Sequence, residues 1–491
     1  MTDAKQRVPA YLTVYLALTL GVLVTLCLAL TEGVRVSTMQ LEAECIADAC
    51  LDSVMAEYHQ ELFRRFNLLA VDDSYGTQTA SKRNLEGRLA WYLDLNLRRA
   101  SGGNVWESLG RMRYKDFLGM ELEGAEVSEW LLLTDAGGAV FREKAALALQ
   151  DDLGASALSE ALTWLRTVKE YQLDVRDVEA EKQAVDAQIA AYQGKEVKQG
   201  KEKTTLKFDS PTLLVDKQRG MGLTGQLFGD DLATGRAIDA SNLISHRMKK
   251  GQFSQGNMAL QEDSGLEQAA KKALFVAYLQ SYYGCHGSLK EGSALLYEQE
   301  YILEGKEWDT ENFRRVLKKL LALREAANVT YLFSDEGKRG QADVVALVLS
   351  TVLGVPELEE LFCTTILFGW AYAESIYDVR TLVRGGRIPL LKNEKTWHYG
   401  LGSILEGLWE TPQSAKEKEG LRYQDYLTIF LLLTNEEEIS YRAMDMCEAD
   451  IRLTTGNAAF RMDACLVRMK AQISLRSKYG YHVLLREEKE Y

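Results

Sequence analysis

The sequence predicts a mostly helical α+β fold. An N-terminal transmembrane helix continues outward as a long extracytoplasmic helix, a helical body follows, and an antiparallel β-hairpin closes the chain. Three observations predict it. Val8 to Thr31 are 24 consecutive residues without a charge. Only 5 of 491 residues are proline, so little in the chain interrupts long helices. Finally, Val467, Met469, Ala471, Ile473 and Leu475 alternate with Arg468, Lys470, Gln472, Ser474 and Arg476, the period of a half-buried strand.

At 1.5 Å per residue the uncharged run spans about 36 Å, more than the ~30 Å hydrocarbon core of a bilayer. Lys5 and Arg7 precede it, whereas the next 15 residues hold Glu32, Glu42 and Glu44 against Arg35 alone. This bias places residues 1–7 in the cytoplasm, 8–31 in a single span and the bulk of the chain outside. A cleaved signal peptide is the competing reading, with Cys27-Leu28-Ala29 as a small-x-small site; the run exceeds the usual 7–15-residue apolar region, which favours a retained anchor. Within the span, Ala17 and Gly21 are spaced for close helix approach.

Beyond Thr31, Val36, Met39, Ala43, Ile46, Cys50, Val54, Tyr58 and Leu62 recur at three- or four-residue spacing, so 32–70 reads as a juxtamembrane amphipathic helix. Seven acids against three arginines between Glu32 and Arg65 give it an acidic back. Glu32 and Arg35 open this segment, where membrane surface, partner or the protein's own head would meet it. Residues 71–194 form an α+β region: a helix over Leu85–Leu97, a strand over Met120–Leu133 ended by Asp135-Ala136-Gly137-Gly138, and a Leu158–Tyr192 stripe. That stripe, broken by Gln172 and Lys182, suggests a long surface helix or short coiled-coil arm.

Residues 195–260 are polar, then glycine-rich, and read as a linker. Residues 261–410 form a helical core. Within it Val344–Pro356 and Leu361–Ala373 are each free of charge for 13 residues, too short to cross a bilayer and expected as buried helices. Residues 411–491 supply two helices and the hairpin, whose turn is Lys478-Tyr479-Gly480. An isolated hairpin is marginal, so the Met120–Leu133 strand is its expected partner.

Net charge is −13, which argues against a non-specific grip on nucleic acid. The seven cysteines are too dilute for a disulfide scaffold; both pairing after export and buried free thiols are open. The five histidines stand far apart, no zinc or other cofactor motif is evident, and P-loop and serine-hydrolase motifs are missing. Gly220–Gly225 matches G-x-G-x-x-G without a following periodic helix. Asp72-Asp73, Asp151-Asp152 and Asp230-Asp231 read as solvated loop charges. Glu374, Asp378 and Arg380 close the apolar helix begun at Leu361, and Arg324-Glu325 stand on an earlier one. Charges on buried helices need partners, so these five residues are the expected buried ion network.

The head, Tyr11–Leu20 followed by Leu30–Val36, resembles the amino termini of TadE/TadG-like proteins, single-pass membrane components associated with Tad pilus assembly. Asp52–Tyr58, Asn67-Leu68-Leu69, Ser74-Tyr75-Gly76, Leu295–Leu303, Trp370–Ser375, Asp378-Val379-Arg380 and Tyr423–Leu427 look like a Gram-positive branch catalogued as domain of unknown function 5702. The resemblance implies an exported, membrane-anchored, non-enzymatic component of a Tad-like pilus or secretion locus. Its partners would be membrane lipid, other assembly proteins and a second copy of the chain. Met1–Ala10 lacks the glycine that prepilin peptidase requires before the apolar run, and Glu32 lies at the distal end, which favours an uncut anchor. The alternative is a membrane-tethered extracytoplasmic enzyme acting on cell-envelope material, with Glu374, Asp378 and Arg380 as its polar cluster.

Overall fold

A computed structural model describes residues 10–77, 80–100, 119–149, 155–199, 202–220, 234–260, 268–406 and 419–491. The 1–7 tail, Asp151-Asp152, Asp230-Asp231 and the Gly220–Gly225 motif after its first glycine lie outside the described residues. In chain order the elements are α1 (Ala10–Met55), α2 (Gln60–Phe66), β1 (Val71–Asp72), α3 (Lys82–Ala100), β2 (Met120–Leu132), α4 (Asp135–Leu149), α5 (Ala155–Glu170), α6 (Val178–Ala190), β3 (Glu196–Gln199) and β4 (Glu202–Thr205). There follow α7 (Leu213–Gly220), α8 (Ile244–Lys249), α9 (Gln268–Tyr282), α10 (Glu298–Glu304), α11 (Asp309–Ser334), α12 (Glu336–Leu353) and α13 (Glu359–Val383). The last elements are α14 (Leu401–Leu405), α15 (Tyr423–Leu433), α16 (Glu436–Arg452), β5 (Cys465–Ser477) and β6 (His482–Glu490).

The expected strands pair as the alternation requires. β5 is central, with antiparallel β2 on one side and β6, extended by β1, on the other. One face of this sheet is apolar and carries the outward half of α1 together with α3: Ala43, Ala47, Cys50, Leu51 and Val54 meet Leu89, Leu93, Met469, Ala471, Ile473 and Leu475 in one core. The opposite face is wet. Its β5 cations are matched across the strands, Lys470 to Glu129 at 3.0 Å and to Glu488 at 3.4 Å, and Arg468 to Glu490 at 3.3 Å.

A second, larger core unites α4 to α16. Cys465 and Val467 of β5 face this core while Leu466 and Met469 face the first, so the start of β5 is where the two meet. The Asp135–Gly138 turn re-aims the chain from sheet to body: Ala136, Gly137 and Gly138 are all left-handed (φ 52°, 64° and 74°). A Cβ on Gly138 would lie 2.9 Å from Ser440 Cβ, so both conformation and space select glycine there.

Asp72 and Asp73, expected as solvated loop charges, are not: Asp72 is half-buried in β1 and Asp73 is buried beside it. Four expectations about elements are corrected. The juxtamembrane helix does not reach residue 70: α1 ends at Met55 and α2 starts anew after His59, whose Nδ1 accepts from the Leu62 amide at 3.2 Å. The Leu158–Tyr192 stripe is two helices packed on the body, not an arm; Gln172, which interrupts the stripe, adopts φ 52° and ends the first. The described residues of 195–260 are no linker. They form β3, β4, α7 and α8, and Asn257 and Met258 cover the outer edge of β2, where the Asn257 side chain accepts from the Trp130 amide at 2.9 Å and the Asn257 backbone amide donates to Trp130 O at 3.1 Å.

The fourth correction concerns Val344–Pro356. Leu361–Ala373 is buried as expected, but α12 turns Ala342, Ala346 and Ser350 inward and leaves Val344, Leu347, Val348 and Val352 between 49% and 69% exposed. Small residues permit the close approach of α12 to α13, and the larger apolar side chains are displaced outward. All seven cysteines are free thiols; Cys27 and Cys45 are exposed and the other five buried.

Candidate functional site

Two kinds of site emerge: an exposed apolar surface on α1, and polar clusters sealed inside the body. Residues Tyr11 to Leu30 of α1 are exposed almost throughout, and this one helix is long and apolar enough to cross a membrane or to serve as a signal sequence. Ala17 and Gly21 are exposed on it, with nothing within 4 Å of the place a Gly21 Cβ would occupy. Farther out, Ala29, Gly33 and Ser37 recur every four residues and, with Leu30, Val34, Thr38 and Leu41, line a shallow apolar groove. Sequence reasoning missed this groove, although the four-residue spacing of small residues was readable.

Glu32 and Arg35 are engaged by the protein's own C-terminal hairpin. Tyr481 Oη donates to Glu32 Oε1 at 2.6 Å, and the Arg35 guanidinium lies 3.1 Å from the Tyr479 ring centre. The Tyr481 hydroxyl, joined by Arg35, holds the Glu32 carboxyl below its usual range.

In the body, helical spacing builds the main buried cluster. Glu374 and Asp378 lie four residues apart on α13, Arg324 and Asn328 four apart on α11, so each pair shares a face. Asp378 Oδ2 accepts from Arg324 Nε at 3.0 Å, Arg324 Nη2 at 2.9 Å and Asn328 Nδ2 at 3.0 Å. Arg324 Nη1 donates to Pro389 O, Leu390 O and Tyr426 Oη at 2.8–3.0 Å. Lys392, from the loop after α13, bridges Glu374 and Asp378 Oδ1, the latter at 2.6 Å. Glu374 also accepts from the amides of His398 (2.9 Å) and Tyr399 (2.8 Å). Burial alone would raise Asp378, but Lys392 and Arg324 outweigh it and hold the carboxyl below its usual range. Two cations and two anions are thus enclosed and mutually neutralised.

Three of the five expected network residues, Arg324, Glu374 and Asp378, come together. Glu325 leaves α11 on another side and pairs with Arg219 of α7. Arg380 is half-buried, with Tyr399, Arg384 and Tyr372 as its electrostatic neighbours. Lys392, Asn328 and Tyr426 complete the cluster and were missed; Lys392 follows the apolar run Ile388–Leu391, a readable signal. A second network was missed entirely. Arg247 of α8 donates to Glu448 at 2.6 and 3.0 Å and to Asp463 at 2.6 Å, and Arg461 closes on Asp463 at 2.7 Å.

The third cluster surrounds α10. Glu298, Gln299 and Glu300 are all buried. Glu298 accepts from the Gly284 amide at 2.6 Å; Glu300 accepts from the His286 amide and Tyr423 Oη, both at 2.9 Å; Tyr301 reaches Asp445 at 2.9 Å. Burial pushes Glu300 and Asp445 up to about 7 and Asp450 to about 6, and Glu298, pressed against Asp450, well above its usual value. Among the described residues no group of three or more histidine, cysteine or acidic side chains could hold a metal ion.

A family model described as a family of unknown function, DUF5702, matches residues 201–477. The chain belongs to DUF5702. The matched residues run from β4 to the end of β5 and so contain both arginine-centred networks and the α10 cluster, while α1 to α6 and β6 lie outside them. No curated protein and no solved structure matches the chain.

Proposed function

We propose that this DUF5702 chain is a membrane-anchored, exported, non-catalytic component of a Tad-like pilus or secretion assembly. It would keep residues 8–31 in the bilayer and join lipid, other assembly proteins and copies of itself through helix and surface contacts. The observation that carries this is the apolar face of α1 beyond the uncharged run: Val34 and Leu41 are 67% and 61% exposed beside the Gly33 groove, and Leu41, about 14 Å past Glu32 along the helix, stands clear of the headgroup layer. A neighbouring helix is the partner such a groove fits, since small residues let backbones approach closely. The exposed α12 stripe offers a second assembly surface.

A non-catalytic role is supported by the sealing of Glu374 and Asp378, both 0% exposed and matched by Lys392 and Arg324. The test is a photo-reactive residue at Leu41 in wall-stripped cells whose chain carries a tag after Tyr491. We expect external protease to remove the tag and light to join Leu41 to another membrane protein or a second copy. A protected tag, or no protein adduct, overturns the reading. Glu374→Gln is expected to lower stability in unfolding curves and to leave the Leu41 adducts of the folded chain unchanged.

A further inference from the structure

We propose that the β5–β6 turn, Lys478 to Tyr481, is a second membrane contact that lies in the headgroup layer beside α1, against the phosphate and glycerol groups of the outer leaflet. The inference rests on the anchoring of residues 8–31. Two rulers place the turn. β6 runs beside the outward half of α1 in the same direction: Tyr481 meets Glu32, Lys489 meets Asp48 at 2.6 Å and Asp52 at 2.9 Å, and Tyr491 reaches Met55 O. Tyr481 to Tyr491 as strand and Glu32 to Met55 as helix both measure about 34 Å. The hairpin tip is therefore level with Glu32, the first residue after the uncharged run, and the far end of β6 is level with the end of α1.

The tip has the chemistry of that layer. Tyr479 is half-exposed although its ring stacks on Arg35, and Lys478 and Arg476 are exposed beside it. Tyrosine rings collect at the level of lipid headgroups, and long cationic side chains lay their stems on apolar surface while the charge reaches phosphate. The Lys478 stem passes within 2.6 Å of where a Gly119 Cβ would sit, so glycine there leaves it room. The turn and α1 would hold the sheet at two points.

The experiment places the full chain in vesicles of phosphatidylcholine and phosphatidylglycerol with benzoylphenylalanine at Tyr479, at Leu23 or at Tyr171, an exposed tyrosine in the turn after α5. Lipid adducts are counted by mass spectrometry after photolysis. We expect adducts at Leu23, and at Tyr479 a yield severalfold above Tyr171. Adducts at Leu23 with Tyr479 no better than Tyr171 would overturn the membrane contact and leave the anchor standing. None at Leu23 would remove the anchor and the contact together.

Discussion

Charge is inside the helical body and outside the module of α1 and the sheet. In the body Arg324, Lys392, Glu374 and Asp378 are enclosed together, and Arg247 is enclosed with Glu448 and Asp463. In the module Ala43 to Val54 of α1 meet the apolar face of β5 without a charge between them, and the ions form a cross-strand ladder on the open face. The contrast teaches what each arrangement depends on. A buried ion pair breaks when one partner is lost, because the other is stranded away from water, whereas an exposed ladder loses only a screened attraction.

The largest effect should come from stranding a buried charge. Asp378→Ala strands Arg324 and leaves Lys392 with Glu374 alone, and should cost about 3–5 kcal/mol, measured by denaturant unfolding of the full chain in detergent micelles. Replacing Arg324, Lys392, Glu374 and Asp378 together by apolar residues of similar volume should recover most of that loss. If it does not, the cluster contributes more than mutual neutralisation. On the module side, Leu51→Ala opens a cavity at a fully buried site of α1 and should cost about 2–5 kcal/mol. Amide exchange should then lose protection in α3 and β6 while α11 and α13 keep theirs; equal loss in both would merge the two regions into one cooperative unit.

A third effect separates the regions by pH. Glu300 and Asp445 titrate at about 7 and Asp450 at about 6 in the folded chain, well above carboxyls in an unfolded one. Unfolding therefore releases protons between about pH 4 and 7, so this contribution to stability is complete below pH 4 and is lost as pH rises to 7. Each such group should weaken the body by up to about 1.4 kcal/mol per pH unit across that window. Asp445→Asn should flatten the decline in melting temperature between pH 5 and 7; an unchanged slope would remove Asp445 as a source. The smallest effect belongs to the ladder: Lys470→Ala should shift the unfolding midpoint only slightly and by nothing measurable at ~1 M salt, read by the same unfolding curves.

What sequence could disclose follows the same division. β5 was legible because every second residue reports its face, and α1 because its 24 uncharged residues outlast the 13-residue uncharged runs Val344–Pro356 and Leu361–Ala373. Arg324, Glu374 and Asp378 stood out as charges on apolar helices. Arg247 did not: it sits in His246-Arg247-Met248-Lys249-Lys250, where Lys249 and Lys250 are exposed and nothing local marks Arg247 for burial. Its carboxylate partners lie about 200 residues away. The α12 stripe misled for a different reason. Apolar composition predicts burial, but Ala342, Ala346 and Ser350 pack tightly and leave the larger side chains outside.

On the proposed anchoring, the unbroken run of α1 from Ala10 to Met55 has a mechanical meaning. Its outward half is fused to the sheet core, so the helix and the sheet must turn as one lever. Transmembrane helices commonly tilt by about 20°, more when the span is long for the bilayer. Carried over the roughly 35 Å from Glu32 to Met55, that tilt swings the far end through about 12 Å. Bilayer thickness would then set which way the body faces, and with it whether the α12 stripe points along the membrane toward a neighbour or away from it.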